Sequence, residues 1–407
     1  MRKYIHQVGN WIKNEKSFFY FACIVFAFFG LMLFVEIGNK HFESNDFRVF
    51  YQASKNYWNG KAVYGLSFGL DSGFFKYSPF ILLIFSPALL VDFFTASVLY
   101  YMLNISFLLL FFYRLFSFLK ENYSFKSKRE LLFYLLVFAS IVGHFIRELH
   151  LGNTNIILLC FVLLIIHLVK QKKQLHAGLL FVLIVLVKPY LAVLILPVLL
   201  FNHQRMFWSS LICGFGALVI SLLFFGMNEG IVLYIEWFQS MISHSDYLTS
   251  NNTLWNFIGK LTNTKPMSQL GLPMFVLLSM IFYAKFRKNK SSNPEIQHKQ
   301  MALFMFLLLA VFPLLLLTDT QHFLFSTPLI AMLAVRLYEK GLTWFLLSYV
   351  VLIVFYLGEA KLFLGQEIGN FVTVYGGIGW ANLILIIWSL ALHWNQMNRK
   401  TTSTSGE

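Results

Sequence analysis

Long runs of uncharged, apolar residues recur along this chain and constrain its fold more than any other feature. Phe18 to Val35 carries no charge, and neither does Met301 to Thr318. Runs of about 18 or more apolar residues are typical of transmembrane helices. The first run is too long and too aromatic for a cleaved signal peptide, and no small-residue cleavage site follows it. We therefore expect an all-α integral membrane protein in which residues 1–407 form one polytopic domain.

The composition supports this class and argues against two others. Charged residues make up 12% of the chain, whereas soluble domains are nearer one-quarter charged. The net charge of +14 could indicate nucleic-acid binding. The basic residues, however, cluster in short loops between apolar runs, as the positive-inside rule describes. The cysteines lie inside apolar runs and indicate neither a disulfide framework nor a metal site.

Basic clusters also predict which loops face the cytoplasm. Four basic residues precede the first apolar run: Arg2, Lys3, Lys13 and Lys16. They place the N-terminus inside, and Arg399 and Lys400 place the C-terminal tail inside. Residues 39–77 then form a first outer loop, with short interfacial helices, and residues 228–265 form a second outer loop. We expect a multi-pass protein of the plasma membrane with both termini cytoplasmic.

The number of crossings between the first outer loop and Arg205, which is predicted to face the cytoplasm, must be odd but stays open at the level of sequence. Five apolar stretches are present: 79–91, 94–118, 131–145, 156–169 and 177–201. Five crossings satisfy the parity but leave lysine clusters on the wrong side. A hairpin at Lys188-Pro189 would place Lys170–Lys173 inside, provided that another stretch, weakest at Pro79–Val91, does not cross. The whole chain is expected to have about twelve helices, with about eleven to thirteen allowed.

The first outer loop contains Asp46, an acid at the edge of a membrane in a chain with only 18 acidic residues. Arg48 lies two residues later, and Lys76-Tyr77 precedes the next apolar stretch. A cation beside aromatic side chains at headgroup level suits a lipid phosphate. The alternative reading of Lys76 is a simple interfacial anchor.

Other polar residues interrupt apolar stretches, where an isolated charge costs roughly 2.5–3.5 kcal/mol or more. Lys188 either faces a cavity or extends toward the interface. Asn153 and Asn155, at a predicted helix start, either bind hydroxyl groups or cap the helix. Arg147 and Glu148, by contrast, are better explained as a salt-bridged helix end.

Two further clusters are predicted on the outer side. Gln321 and His322 belong to a turn, Thr318 to His322, that either reaches a shared cavity or is a solvated loop with a helix cap at Asp319 or Thr320. Asn252 lies in the second outer loop. A carboxylate, cations and amides together suit sugar transfer from a lipid phosphate, which needs a base and donors for the departing phosphate.

No pattern indicates a P-loop, a serine triad or a metal-ligand cluster. We therefore expect no metal and no cofactor, with the lipid-phosphate sugar as a co-substrate. A loosely bound divalent ion near Asp46 stays an open alternative.

At these residues the chain resembles glycosyltransferase family 87 over residues about 40 to 330. The first outer loop is similar at Asp46-Phe47, Val49, Tyr51, Ala53, Gly60 and Tyr64, and the entry to the next span at Phe75, Tyr77 and Pro79. Gly152, Asn153 and Asn155 resemble its Gly-Gln-x-Asn motif, with Asn153 in place of glutamine. Lys188-Pro189 after Ala177-Gly178 resembles its Ala-Gly…Lys-Pro segment. Looser similarities are Asn252-Thr253-Leu254 and Gln321-His322.

The resemblance implies a GT-C fold, similar to polyprenol-phosphate-mannose-dependent mannosyltransferases. It implies that Asp46 is the general base of an inverting transfer of a hexose. It also implies an outer cavity that holds a polyprenyl-phosphate sugar donor and a lipid or glycan acceptor among membrane lipids, with no nucleic acid. In that fold a second outer loop follows the seventh helix, which favours five crossings. The sugar itself is not fixed by the resemblance.

Two other functions are compatible with the sequence. A polytopic transporter or lipid flippase would place charges at mid-membrane, and Lys188 is the main feature in its favour. A non-catalytic scaffold would tolerate alanine at Asp46 and His322. Because most polar candidates lie on one predicted face, the sequence favours an enzyme.

Overall fold

The architecture is all-helical in the computed structural model, which describes residues 15–69, 73–123, 130–242, 253–263, 270–316, 319–356 and 360–399. One isolated β-bridge, Ser67 to Phe74, is the only extended pairing in those ranges. The α-helices are α1 (Lys16–Gly38), α2 (Asn45–Trp58), α3 (Pro79–Phe85), α4 (Phe93–Asn122), α5 (Glu130–Leu151), α6 (Asn155–Lys170), α7 (Gln174–Val187), α8 (Ile195–Leu200), α9 (Gln204–Phe225), α10 (Met227–Ile242), α11 (Leu254–Thr262), α12 (Gly271–Lys288), α13 (Pro294–Leu315), α14 (Thr327–Lys340), α15 (Leu342–Tyr356), α16 (Ala360–Val374) and α17 (Gly377–Arg399). Short 3₁₀ helices cover Ser86–Leu90, Pro189–Leu194 and Thr320–Ser326.

Five of the described helices are long and apolar enough to span a membrane: α1, α4, α5, α9 and α13. The segments Gly365–Val372 and Gly377–Leu392, which meet at 62°, add a sixth if they are one bent span. The chain is therefore a multi-pass membrane protein. The total of about twelve helices stays a prediction, because several described helices are shorter than a full span.

Helix α13 lies at the centre of the bundle. Its apolar window is 89% buried, compared with 22% for α9 and 28% for α1. The exposed side chains of α9 are large and apolar, including Phe215 and Leu223. Such a surface suits contact with lipid tails, so α9 and α1 are peripheral helices.

The stretch after the first outer loop does not cross the bundle. The Ser54 hydroxyl donates to the Leu82 carbonyl oxygen at 3.3 Å, and the Tyr51 hydroxyl donates to the Val91 carbonyl oxygen at 3.0 Å. Both donors belong to α2. The segment from 79 to 90 therefore begins and ends against α2, at the same end of the molecule.

Residues 174–200 form a hairpin. Helix α7 leads to Lys188, and the 3₁₀ helix with α8 leads back, so that Gln174 Nε2 lies 3.4 Å from His203 Nδ1. At Gly178 an added Cβ would lie 2.9 Å from the backbone nitrogen of Ser210 on α9. Such close approach of two helices needs a small residue, so Gly178 helps to hold the hairpin against α9.

The expectation that each of the five apolar stretches crosses once is therefore wrong, and the hairpin alternative is the one observed. Only α4, α5 and α6 run from end to end between the first outer loop and the hairpin. Lys170 Nζ donates to Glu121 Oε2 at 2.5 Å, so the ends of α4 and α6 meet. If both arms of the hairpin are counted, α9 is still the seventh helix before the second outer loop.

Candidate active site

Asp46 lies in the first turn of α2, and its carboxylate is held by Asn153. Asn153 Nδ2 donates to Asp46 Oδ2. The carboxylate is only half-buried, whereas Phe47 and Phe50 on the same helix are fully buried. The apolar face of α2 thus packs inward, and the acid is left at the edge with access to a ligand.

Gly152 brings Asn153 to this helix. Its φ of +67° is a left-handed conformation that favours glycine. A Cβ at this position would lie 2.8 Å from the Cβ of Phe47, so only glycine allows the turn to approach α2 this closely. The Asn153 amide oxygen accepts from the Thr154 backbone N–H at 2.7 Å. This contact turns the amide nitrogen toward Asp46.

Glu148 is a buried carboxylate that sequence reasoning assigned to a salt-bridged helix end. The side chain has no exposed surface. Its Oε1 accepts from the Asn155 backbone N–H at 2.5 Å, and its Oε2 accepts from Asn155 Nδ2 at 2.8 Å. Glu148 therefore caps α6, where an anion is favoured by the free N–H groups. The signal in the sequence was an acid seven residues before an asparagine, with a glycine between them.

Asn155 keeps one polar atom free. Its Oδ1 is buried and has no hydrogen-bond partner among the described residues. A buried acceptor left unpaired costs about 1–3 kcal/mol. Asn155 was expected to cap a helix or bind a hydroxyl group. Its amide nitrogen serves the first role through Glu148, and its oxygen is available for the second.

Lys188, at the tip of the hairpin, meets His322 from the outer turn. Lys188 Nζ lies 2.8 Å from His322 Nε2. A lysine ammonium only donates, so Nε2 accepts and the ring proton lies on Nδ1, 3.1 Å from the Asp319 carbonyl oxygen. Both side chains are buried. The two residues are 134 positions apart in sequence, and the hairpin brings them together.

Gln321 links this turn to the end of α5. Its Oε1 accepts from Arg147 Nε at 3.0 Å, and its Nε2 donates to Asp319 Oδ2 at 3.3 Å. Asp319 begins the 3₁₀ helix without capping it through its side chain. The cap at Asp319 that the solvated-loop alternative predicted is not formed, and the Asp319 carboxylate accepts from Gln321.

The charges of these residues act on Asp46. The pKa of Asp46 is raised to about 6, chiefly by burial. The hydrogen bond from Asn153 lowers the pKa, the charge of Asp319 raises it, and the charge of Lys188 lowers it. Lys76 lowers it further. Burial lowers the pKa of Lys76 itself. Asp46, Lys76, Lys188 and Asp319 therefore belong to one electrostatic site, in which the carboxylate is a stronger base than an ordinary aspartate.

The remaining predicted residues have different placements. The Tyr77 ring lies 4.4 Å from that of Phe50, centroid to centroid, and so forms an aromatic wall beside Asp46. Arg48 has its guanidinium 5.1 Å from the Phe93 ring centroid and is not among the charges that shift the pKa of Asp46. Asn252 lies outside the described residues.

The second outer segment packs on the first. Trp237 Nε1 on α10 donates to the Lys76 carbonyl oxygen at 3.0 Å. Sequence reasoning did not single out Trp237.

In the part of the chain that the structure describes, no group of three or more His, Cys, Asp or Glu side chains is arranged to hold a metal ion. The expectation of a reaction without a metal stays a prediction.

Comparison with known proteins yields one family. The model of glycosyltransferase family 87 matches residues 74–357. This range is well over half of the chain and includes Lys76, Asn153, Lys188 and His322, while Asp46 precedes it. No curated protein matches the chain.

Proposed function

The chain belongs to glycosyltransferase family 87, and from that premise we propose which sugar donor, acceptor and base it uses. Membership makes it a membrane glycosyltransferase with a sugar donor and an acceptor. The proposed donor is a polyprenyl-phosphate hexose, with mannose as the sugar by resemblance. The proposed acceptor is a hydroxyl group of a lipid or glycan, and the configuration at the anomeric carbon is inverted.

One observation carries this proposal: a half-buried carboxylate, oriented by an amide, lies in the field of two lysines. Asp46 takes the proton from the acceptor hydroxyl group while the oxygen of that hydroxyl group attacks the anomeric carbon of the donor sugar. The bond between that carbon and the phosphate oxygen breaks, and its electron pair stays on the phosphate. Asp46 then releases its proton to water. Such base catalysis typically contributes about 10²–10⁴-fold.

The leaving phosphate needs positive partners. The charges of Lys76 and Lys188 both lower the pKa of Asp46, so both lysines interact with its carboxylate. Lys188 is in turn positioned by His322. Cations held in a site of low polarity stabilise developing charge more strongly than water does. We assign the lysines to the lipid phosphate and assign Asn155 Oδ1 to a sugar or acceptor hydroxyl.

The proposed setting is the outer face of the plasma membrane, with both termini cytoplasmic. Basic residues gather at the end of the bundle opposite Asp46, as expected for a cytoplasmic end. Lys188 was the feature that favoured a transporter. It lies at the same site as Asp46, where an enzyme needs a cation.

Asp46→Asn tests the base. Asparagine still offers an oxygen to Asn153 Nδ2, so the fold is retained while the proton acceptor is lost. We expect transfer of labelled sugar from a polyprenyl-phosphate donor to fall by at least about 100-fold in proteoliposomes. Membrane insertion should match the wild type, and the melting temperature should not fall.

Glu43→Gln is the matched control. Glu43 is an exposed acid in the same loop, and its change to the amide should leave transfer within about twofold. Full activity of Asp46→Asn would rule out the base. Transfer from a nucleotide sugar in place of the lipid-linked one would contradict the donor class, even if Asp46 proved essential.

A further inference from the structure

A polar cavity lies at the opposite end of the bundle from Asp46. Its volume is about 620 Å³, and it is formed by the ends of α4 and α6, the beginnings of α7, α9 and α13, and the turn at Asn202. Helix α6 runs from Asn155, at the candidate active site, to Lys170, at this cavity. Sixteen residues of helix correspond to about 24 Å. The two sites are therefore separate.

The cavity wall is rich in cations. Four basic side chains line it, Lys170, Lys172, Arg205 and Lys299, against two acids, Glu121 and Glu295. Lys170 is paired with Glu121. Among the described residues, neither Lys172 nor Arg205 has a carboxylate oxygen within 4.0 Å. The balance of charge in the cavity is thus positive and favours an anion.

Uncharged polar groups complete the wall. Burial lowers the pKa of His203, which favours a neutral imidazole there. His298 is buried and also lines the cavity. Gln174 Oε1 is buried and has no hydrogen-bond partner among the described residues. An unpaired acceptor beside cations suits a ligand that carries both a phosphate and a hydroxyl group.

We propose that this cavity binds a phosphate group, carried by a lipid headgroup or free in solution. Three of the helices that form the cavity, α4, α9 and α13, are long enough to span a membrane, so their ends suit the level of lipid headgroups. Lys172 and Arg205 contact the phosphate, and Gln174 Oε1 accepts a hydrogen bond from a hydroxyl group of the phosphate or of the molecule that carries it. The site is distinct from the donor site and is not needed for the chemistry at Asp46.

The test uses the full-length protein, stripped of lipid in detergent, and three soluble probes. These are dioctanoylphosphatidic acid, inorganic phosphate and dioctanoylglycerol, which lacks only the phosphate. The test variant is Lys172→Gln with Arg205→Gln. The matched control is Arg287→Gln with Lys288→Gln, which removes the same charge from the same end outside the cavity. Binding is measured by native mass spectrometry and by thermal stabilisation.

We expect phosphatidic acid to bind the wild type, and its affinity to fall roughly tenfold in the cavity variant. The control should change by less than about twofold, and dioctanoylglycerol should not bind at the cavity. Competition by inorganic phosphate would show that the phosphate alone is recognised; its absence would assign the site to lipid headgroups. Equal loss in both variants, or loss only in Lys188→Gln, would overturn the proposal, because the lipid would then bind by general surface charge or at the Asp46 end.

Discussion

A general base must be ionised in the free enzyme, and its pKa must be high enough for it to take a proton from the substrate. The surroundings of Asp46 meet both requirements. Burial disfavours the charged carboxylate, and the hydrogen bond from Asn153 and the nearby lysines favour it. Burial has the larger effect, and the pKa of Asp46 is raised to about 6. At pH 7 most molecules carry the carboxylate, while the base is stronger than a solvated aspartate.

The pH profile should report this group. Because the ionised form of Asp46 is the active one, kcat/KM should be level above pH 7 and fall about tenfold per pH unit below about 6. The measurement is the initial rate of transfer at fixed ionic strength from pH 5 to pH 8. A rate that stays level down to pH 5 would contradict the assignment of Asp46 or its raised pKa.

The same raised pKa carries a consequence for stability, with a definite sign. Asp46 binds a proton more tightly in the folded state than in the unfolded state. Ionisation therefore opposes folding at pH values above about 6, and this cost is relieved as the pH falls toward 4. Asp46→Asn should therefore not lower the melting temperature at pH 7.5, and it should raise it by at most about 1–3 °C. A clear loss of stability would indicate that the carboxylate has a structural role.

Among elements, the turn between α5 and α6 determines where Asn153 lies. Gly152→Ala should damage it twice, because alanine is strained at a positive φ by about 1–2 kcal/mol and its Cβ would meet Phe47. Since Phe47 follows Asp46, the base would shift as well. We expect a lower melting temperature and a loss of transfer of about 10–100-fold.

Gly60→Ala is the control for that change. Gly60 has nearly the same φ, +66°, but a Cβ there would meet nothing within 4 Å. It should show the backbone strain without the steric shift, so transfer should stay within about threefold. Equal loss of activity in the two variants would mean that contact with Phe47 does not position Asp46.

The elements also show where sequence reasoning succeeds and where it fails. The apolar runs predicted the spanning helices. Polarity singled out Asp46, Lys76 and Lys188, which interact electrostatically, and His322, which contacts Lys188; their roles in catalysis stay a prediction. The path of residues 174–200 could not be predicted, because a break at Lys188-Pro189 suits a kinked crossing and a hairpin equally. Contacts distant in sequence, such as Gln174 with His203, decide between them.

Glu148 was misjudged for a related reason. On a helix, an acid near arginine and histidine favours a local ion pair. The actual partners are backbone and side-chain donors of Asn155, which reach Glu148 only because the chain turns at Gly152. Local spacing cannot supply this geometry, so the residues of the site were easier to predict than the bonds between them.

At the scale of the whole molecule, the hairpin places basic residues together at one end and Asp46 at the other. Lys170–Lys173 and Arg205 then lie on the same side, which removes the conflict with the positive-inside rule that arose when each of the five stretches was given one crossing. Under the proposed function, catalysis then lies at one face of the membrane and the basic cavity at the other.

Accessibility of single cysteines should test this arrangement. In a variant whose native cysteines are serine, cysteine replaces one of three exposed, uncharged side chains: Asn59, Gln171 or Gln204. A membrane-impermeant maleimide should label Asn59→Cys in intact cells. It should label Gln171→Cys and Gln204→Cys only after lysis, because the hairpin returns the chain to the same face. Labelling of Gln171→Cys but not of Gln204→Cys in intact cells would indicate that residues 177–201 cross the membrane once. A full reversal of the pattern would place Asp46 on the cytoplasmic face and contradict an outer-leaflet donor.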